Sequence, residues 1–241
     1  MPGANITIIA DDCSELAWTS YFVDCCQTYN LPIIPVSTVS KIAAVMPGWL
    51  RQQLVKMHID LYVGFDDLFL VDGDTIFYDY IPYMVVPFQS IDLMEVDLHQ
   101  SEYVSLTLKR PFKRFTHEGR EGIVNFPGFR ETNVVWWKEL RRFIEKNHYQ
   151  SVIDYHAQYK PLNGVSEWEL LEQFKSQILK IPANLQVFSN AELSEETMPT
   201  NIHFATSWNS DKYYSTSWWQ KQGIELAAWD KLPVKKGIWT K

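Results

Sequence analysis

The opening of the chain constrains the fold more than any other stretch. Asn5 to Ala10 reads Asn-Ile-Thr-Ile-Ile-Ala, a β-branched, apolar run that predicts a buried strand. Asp11-Asp12-Cys13-Ser14 stops that strand and offers helix caps. From Glu15 to Tyr29, Leu16, Tyr21, Phe22 and Cys25 recur at helical spacing, and Asn30-Leu31-Pro32 breaks the helix. Ile33 to Val36 predicts a second short strand. A strand, a helix and a strand in that order imply parallel pairing through a crossover, hence an α/β fold with a mostly parallel sheet.

The remaining pattern extends this plan. Pro47-Gly48 precedes a predicted helix over Trp49 to His58 that carries Arg51, Gln52, Gln53 and Lys56. Asp67 to Val71 (Asp-Leu-Phe-Leu-Val) predicts a third strand, apolar enough for a central position. It runs into Asp72-Gly73-Asp74-Thr75 and an aromatic-rich segment, Ile76 to Tyr83. Glu102 to Leu108 reads as a further strand, followed by a charged, glycine-containing loop from Thr116 to Gly122. Val134 to Lys146 is strongly amphipathic, with Trp137, Leu140, Phe143 and Ile144 on one face. Val165 to Leu179 predicts a second long helix, opened by Ser166 with Glu169 at capping-box spacing. The C-terminal third is loop-rich, with a short strand expected at Ile202 to Ala205. Without repeats or a Gly/Ser linker, residues 1–241 are expected to form one domain with a C-terminal extension.

Charge and cysteine content exclude several classes. A net charge of −7 argues against broad nonspecific nucleic-acid binding, which needs a basic surface. Positive charge is nevertheless locally concentrated, in Lys109-Arg110-Pro111-Phe112-Lys113-Arg114 and in the tail from Lys231 to Lys241. Cys13, Cys25 and Cys26 form neither a disulfide framework nor a zinc pattern, and suit a reducing compartment. Met1 to Asn5 has no basic region or apolar block, and no apolar run reaches the roughly 18 residues of a membrane span. A cytoplasmic protein with no membrane span is the expectation. The ten Trp residues supply core and, where a ring faces outward, as one ring of Trp136-Trp137 or Trp218-Trp219 would, a stacking surface for a sugar or base.

Asp72 and Asp74 carry the clearest chemistry. In open α/β sheets, ligands gather beyond the carboxyl ends of parallel strands. Two carboxylates one residue apart at such an end can address one hard divalent cation, Mg²⁺ or Mn²⁺, which shares its oxygen ligands with substrate phosphates. Gly73 lets the backbone turn and a diphosphate approach. The metal would neutralise charge on a departing nucleoside diphosphate. Carboxylate-Gly-carboxylate is also common turn chemistry, so the motif gains its weight from the preceding strand and basic helix.

Three ordered blocks carry a family resemblance. Trp49-Leu50-Arg51-Gln52-Gln53-Leu54-Val55-Lys56, followed by Phe65-Asp66-Asp67-Leu68-Phe69-Leu70-Val71-Asp72-Gly73-Asp74-Thr75-Ile76-Phe77, resembles GT-A-fold glycosyltransferases. Gly164-Val165-Ser166-Glu167-Trp168-Glu169-Leu170 is similar to a helix start in a small bacterial and phage branch of those enzymes, and Asn125-Phe126-Pro127-Gly128-Phe129 fits loosely between. The similarity spans Ile6 to Leu179. It implies a Rossmann-like sheet flanked by helices, with residues 1–110 as the nucleotide-sugar half and 111–241 as the acceptor half and extension. It implies transfer of a sugar from a nucleoside-diphosphate sugar to a hydroxyl acceptor. Ala10, Asp11 and Asp12 would then meet the base and ribose, and Arg51 and Lys56 would approach the donor. Asp74 would act with Asp72 at the metal, His203 would be a third ligand, and Lys212 would contact phosphate. The chain lacks the fuller His-x-Gly-x-x-Lys-Pro-Trp pattern of some relatives, which leaves His203 less well supported. If transfer inverts the anomeric centre, Glu167 is placed to act as general base. Otherwise Glu167 simply suits the first turn of its helix.

The acceptor stays open between a glycan precursor and a hydroxymethylated pyrimidine in phage DNA. Two other classes compete. One is a nucleotide-sugar-binding module without turnover. The other is a metal-dependent phosphatase or phosphotransferase, for which Asp11-Asp12 lies near the right place without the usual spacing.

Overall fold

The structure is a computed structural model. It describes residues 6–10, 20–35, 48–71, 75–77, 87–90, 95–117, 120–124, 129–158, 166–182, 186–187 and 204–206. The chain divides into two compact units that draw on interleaved stretches. One comprises Met1–Leu68, Ile91–Arg114 and Thr132–Ala183; the other comprises Phe69–Ser90, Phe115–Glu131 and Asn184–Lys241.

The first unit opens as its sequence predicts. Strand β1 (Ile8–Ala10), helix α1 (Ser20–Thr28) and strand β2 (Ile33–Pro35) follow in order. β1 and β2 are parallel, with Ile8 opposite Ile33 and Ala10 opposite Pro35. Helix α2 (Gly48–Met57) follows, and Ile9 of β1 packs against its buried Val55. The polypeptide then makes one 3-10 turn (Ile59–Leu61) and enters β3 (Asp67–Val71).

Helices α3 (Glu95–Leu108), α4 (Val134–His148), α5 (Val152–Ala157) and α6 (Glu167–Phe174) form the rest of this unit's core. α4 is the amphipathic helix the periodicity predicts. Asn133 caps it by accepting from the Val135 amide at 2.8 Å. Trp137, Leu140 and Ile144 have no solvent exposure. Burying each contributes on the order of 2 kcal/mol. The Trp137 ring meets Trp168 of α6 edge-on at 5.2 Å, and its indole N–H donates to Thr132 Oγ1 at 2.8 Å. α6 starts at Ser166, whose hydroxyl accepts from the Glu169 amide at 3.1 Å, and it continues into a π-helical turn over Lys175–Leu179.

Glu102 to Leu108, expected as a strand, is the second half of α3. The alternation in Val104-Ser105-Leu106-Thr107-Leu108 imitates a strand locally. Tyr103, Val104, Thr107 and Leu108 are the buried residues instead, a helical stripe, and Leu106 is exposed. Packing of that stripe overrides the local β preference.

The second unit holds small sheets. β4 (Thr75–Phe77) pairs antiparallel with β10 (Phe204–Thr206). β5 (Pro87–Ser90), β6 (Phe115–His117), β7 (Arg120–Val124) and β9 (Gln186–Val187) form one four-stranded sheet in the order β6-β7-β5-β9. Within it only β5 and β9 are parallel. Thr116 to Gly122, expected as a loop, belongs to the β6–β7 hairpin, in which His117 faces Arg120. Two residues, Glu118-Gly119, separate that pair in sequence, which is the length and composition of a tight hairpin connection.

Among the described strands, β3 has one neighbour. It forms a two-stranded sheet with β8 (Phe129–Asn133), and its burial runs from exposed Asp67 through half-buried Leu68, Phe69 and Leu70 to exposed Val71. The described strands thus make a mixed α/β protein of small sheets. Among the described residues, no helix is long and apolar enough to cross a membrane.

Candidate donor and metal site

The acidic motif adjoins described structure on both sides. Two contacts fix the start of β3 to the start of α4. Asn133 Nδ2 donates to Asp67 Oδ1 at 2.8 Å, and the Val134 amide donates to the Asp66 carbonyl at 2.7 Å. β3 then runs out to Val71, 43% exposed, and β4 resumes at Thr75. Asp72, Gly73 and Asp74 are the three residues between, and lie outside the described residues, as do Asp11, Asp12, His203 and Lys212. Ala10 ends β1, paired with Pro35. Phe204, the residue after His203, pairs with Phe77, whereas Thr206 pairs with Thr75, the residue after Asp74.

Lys56 and Glu167, predicted for the donor and acceptor sides separately, meet each other. Lys56 Nζ lies 2.8 Å from Glu167 Oε1, with the two side chains 12% and 3% exposed. Oε1 is not aligned as a hydrogen-bond acceptor, so the contact is ionic. The same ammonium stands 5.9 Å from the Trp168 ring. The Glu167 amide donates to Gln53 Oε1 at 3.4 Å, a second link from α2 to the start of α6. A nearly buried carboxylate already engaged by an ammonium is not open to an acceptor hydroxyl. In this arrangement Glu167 joins two helices through its ion pair with Lys56. Arg51 is half-buried on α2.

Of the two tryptophan pairs, Trp136-Trp137 is described and Trp218-Trp219 lies outside the described residues. Trp137 points inward, and Trp136 is half-buried with Lys175 Nζ 4.1 Å over its ring. His58 is buried, and its Nδ1 donates to the Leu54 carbonyl at 2.7 Å. Burial pushes its pKa down, and the nearby Arg141 charge adds to that. Arg141 grips Asp60 with two hydrogen bonds, Nε to Oδ1 at 3.0 Å and Nη2 to Oδ2 at 2.7 Å, and also reaches Glu145.

Two buried polar networks complete this unit's interior. In one, His156 Nδ1 donates to the Val152 carbonyl at 2.6 Å, which leaves Nε2 to accept from the Tyr103 hydroxyl at 2.5 Å. In the other, Glu169, Gln173 and Gln177 form a buried row along α6 and the π-helical turn that continues it. The i, i+4 spacing of that row is visible in the sequence, but nothing local marks it as buried.

Among the described residues, no group of three or more His, Cys, Asp or Glu is placed to hold a metal ion. Comparison with protein-family models, with curated proteins and with solved structures finds no match to this chain.

Proposed function

We propose that the chain is a metal-dependent glycosyltransferase of GT-A type that takes a nucleoside-diphosphate sugar and transfers its sugar to a hydroxyl acceptor. One observation carries the reading. The Asp72-Gly73-Asp74 sequence occupies the three-residue interval between β3, which emerges to an exposed Val71, and β4. Two carboxylates one residue apart, following a strand in the sequence, suit a divalent cation and a diphosphate.

The donor set fits Mg²⁺ or Mn²⁺, because both side chains offer hard oxygen ligands. Such an ion, when bound, supplies positive charge against the departing diphosphate. Asp72 and Asp74 would hold it, with His203 as a third ligand and Lys212 against phosphate. Gly73 leaves the backbone free of a Cβ where the diphosphate approaches. Ala10, Asp11 and Asp12 would line the base and ribose, with Arg51 on the donor side.

Lys56 and Glu167 take a positioning role here. Their ion pair fixes the start of α6 against α2. With Glu167 occupied, an inverting reaction would draw its base from elsewhere, and a retaining one needs none.

A thermal-shift panel tests donor recognition. A ligand that binds only the folded state raises the melting temperature. The expected result is a rise with one family among UDP-, GDP-, CMP- and dTDP-sugars, dependent on Mn²⁺ and absent in Asp72→Ala. No shift with any of them, with and without Mn²⁺, contradicts the proposal.

A further inference from the structure

The basic stretch Lys109–Arg114 carries four cations in six residues, and its backbone is held from Arg110 to Lys113. Lys109 turns the chain after α3 with a left-handed φ of 51°, and its Nζ donates to the Asn147 carbonyl at 2.5 Å. The Arg110 amide donates to the Ser105 carbonyl at 3.2 Å, and the Phe112 amide to Ser105 Oγ at 3.0 Å. Gln177 Nε2 donates to the Pro111 carbonyl at 3.2 Å. Gln173 clasps Lys113 from both sides: its Oε1 accepts from the amide at 3.3 Å, and its Nε2 donates to the carbonyl.

The clasp is a costly feature unless fully satisfied, because Gln173 has no solvent exposure. It is satisfied. Glu169 Oε1 takes the second N–H at 2.9 Å, and Gln177 Nε2 supplies the second bond to Oε1 at 2.7 Å. All four hydrogen-bonding sites of the amide are used. Two buried side chains, Gln173 and Gln177, thus fix this surface segment through its backbone at Pro111 and Lys113. Arg110 and Lys113 are exposed, three residues apart, and at most about 11 Å separates them along the chain.

We propose that this fixed basic ledge binds the phosphate backbone of a nucleic acid. Cations on a preorganised backbone bind without the cost of ordering a loop. A row of cations on this scale matches a row of phosphates, which repeat about every 3.4 Å of axis along one strand. A neutral glycan offers no such charges. The guanidinium of Arg110 adds a planar fork suited to phosphate oxygens. The chain's net charge of −7 confines the attraction to the ledge and makes it salt-sensitive. The inference deepens the proposed function by favouring a modified base in DNA as the hydroxyl acceptor. To that extent it rests on the transferase reading, but the contact itself needs neither donor nor metal.

Fluorescence anisotropy of labelled, unmodified duplex DNA with the full chain tests it, without donor or metal, between 50 and 200 mM salt. The wild type is expected to bind at 50 mM and to weaken as salt rises. Each lost phosphate contact lowers the log–log salt slope by about 0.9, so Arg110→Gln with Lys113→Gln should lower it by about 2. Across this fourfold salt range that removes roughly tenfold of the affinity loss. The charge-matched pair Lys138→Gln with Arg142→Gln on α4 should leave the slope unchanged. Absence of binding at 50 mM, or an equal effect from the α4 pair, overturns the proposal. Equal affinity for a sulfated glycan of similar charge density overturns the nucleic-acid assignment. Loss of DNA binding beside intact donor release sinks the ledge alone. DNA binding that persists without any donor release sinks the transferase reading alone.

Discussion

His156 gives the described core a pH dependence whose sign and size follow from its surroundings. The ring is 1% exposed on α5, between Tyr103 of α3 and the carbonyl of Val152. Burial is the largest influence and pushes its pKa from 6.5 down to about 4. The bond to Val152 works against this, and the charges of His58 and His148 add to it. An unfolded chain takes up the proton near pH 6.5, whereas the folded one resists until about pH 4. Between those values the unfolded state holds more protons, so stability falls as pH falls. The full contribution is present above pH 6.5 and is gone below pH 4. At about 1.4 kcal/mol per pKa unit, the difference amounts to about 3 kcal/mol. His58 is shifted in the same direction and adds to the slope. Urea denaturation followed by tryptophan fluorescence at pH 7, 6, 5 and 4.5 measures this, with His156→Gln as the reference that cannot titrate. Wild type should lose about 2 kcal/mol more than the variant between pH 7 and 4.5, the remainder of the difference being lost at lower pH. Parallel pH profiles for the two proteins would refute a buried, neutral His156.

Two further outcomes follow from the ion pairs. Lys56→Met strands the Glu167 carboxylate, 3% exposed, and should cost about 3–5 kcal/mol in chemical denaturation. Lys56→Met with Glu167→Gln should recover part of that loss, and a double variant as unstable as Lys56→Met would contradict the pairing. Arg141→Lys keeps the charge but loses the two-pronged grip on Asp60, so the melting temperature should fall by the equivalent of about 1–3 kcal/mol. An unchanged melting temperature would show that the fork geometry contributes nothing.

What the sequence disclosed depended on whether the signal was local. α4 was legible because its apolar face repeats over four turns. α6 was legible from Ser166 and Glu169, and β1, α1 and β2 from the breakers between them. α3 was misread because five residues of alternation satisfy a strand template, and only the burial of Tyr103, Val104, Thr107 and Leu108 chooses the helix. The β6–β7 hairpin hid in a charged segment whose Glu118-Gly119 connection was the available clue. At the candidate site, the identities of Lys56 and Glu167 were legible, but their pairing was not. It depends on how α2 and α6 pack, and no local pattern encodes that contact. The Gln173 clasp on Lys113 is a contact of the same long-range kind.

The proposed metal-and-diphosphate role of Asp72 and Asp74 is tested most directly by nucleoside-diphosphate release from the purified 241-residue chain. Each nucleotide-sugar would be incubated with Mn²⁺ or with a chelator. The account predicts slow release from one donor, abolished by the chelator and by Asp74→Ala while the circular dichroism spectrum and melting temperature stay at wild-type values. Full release by Asp74→Ala, or none from any donor with Mn²⁺ present, would contradict it.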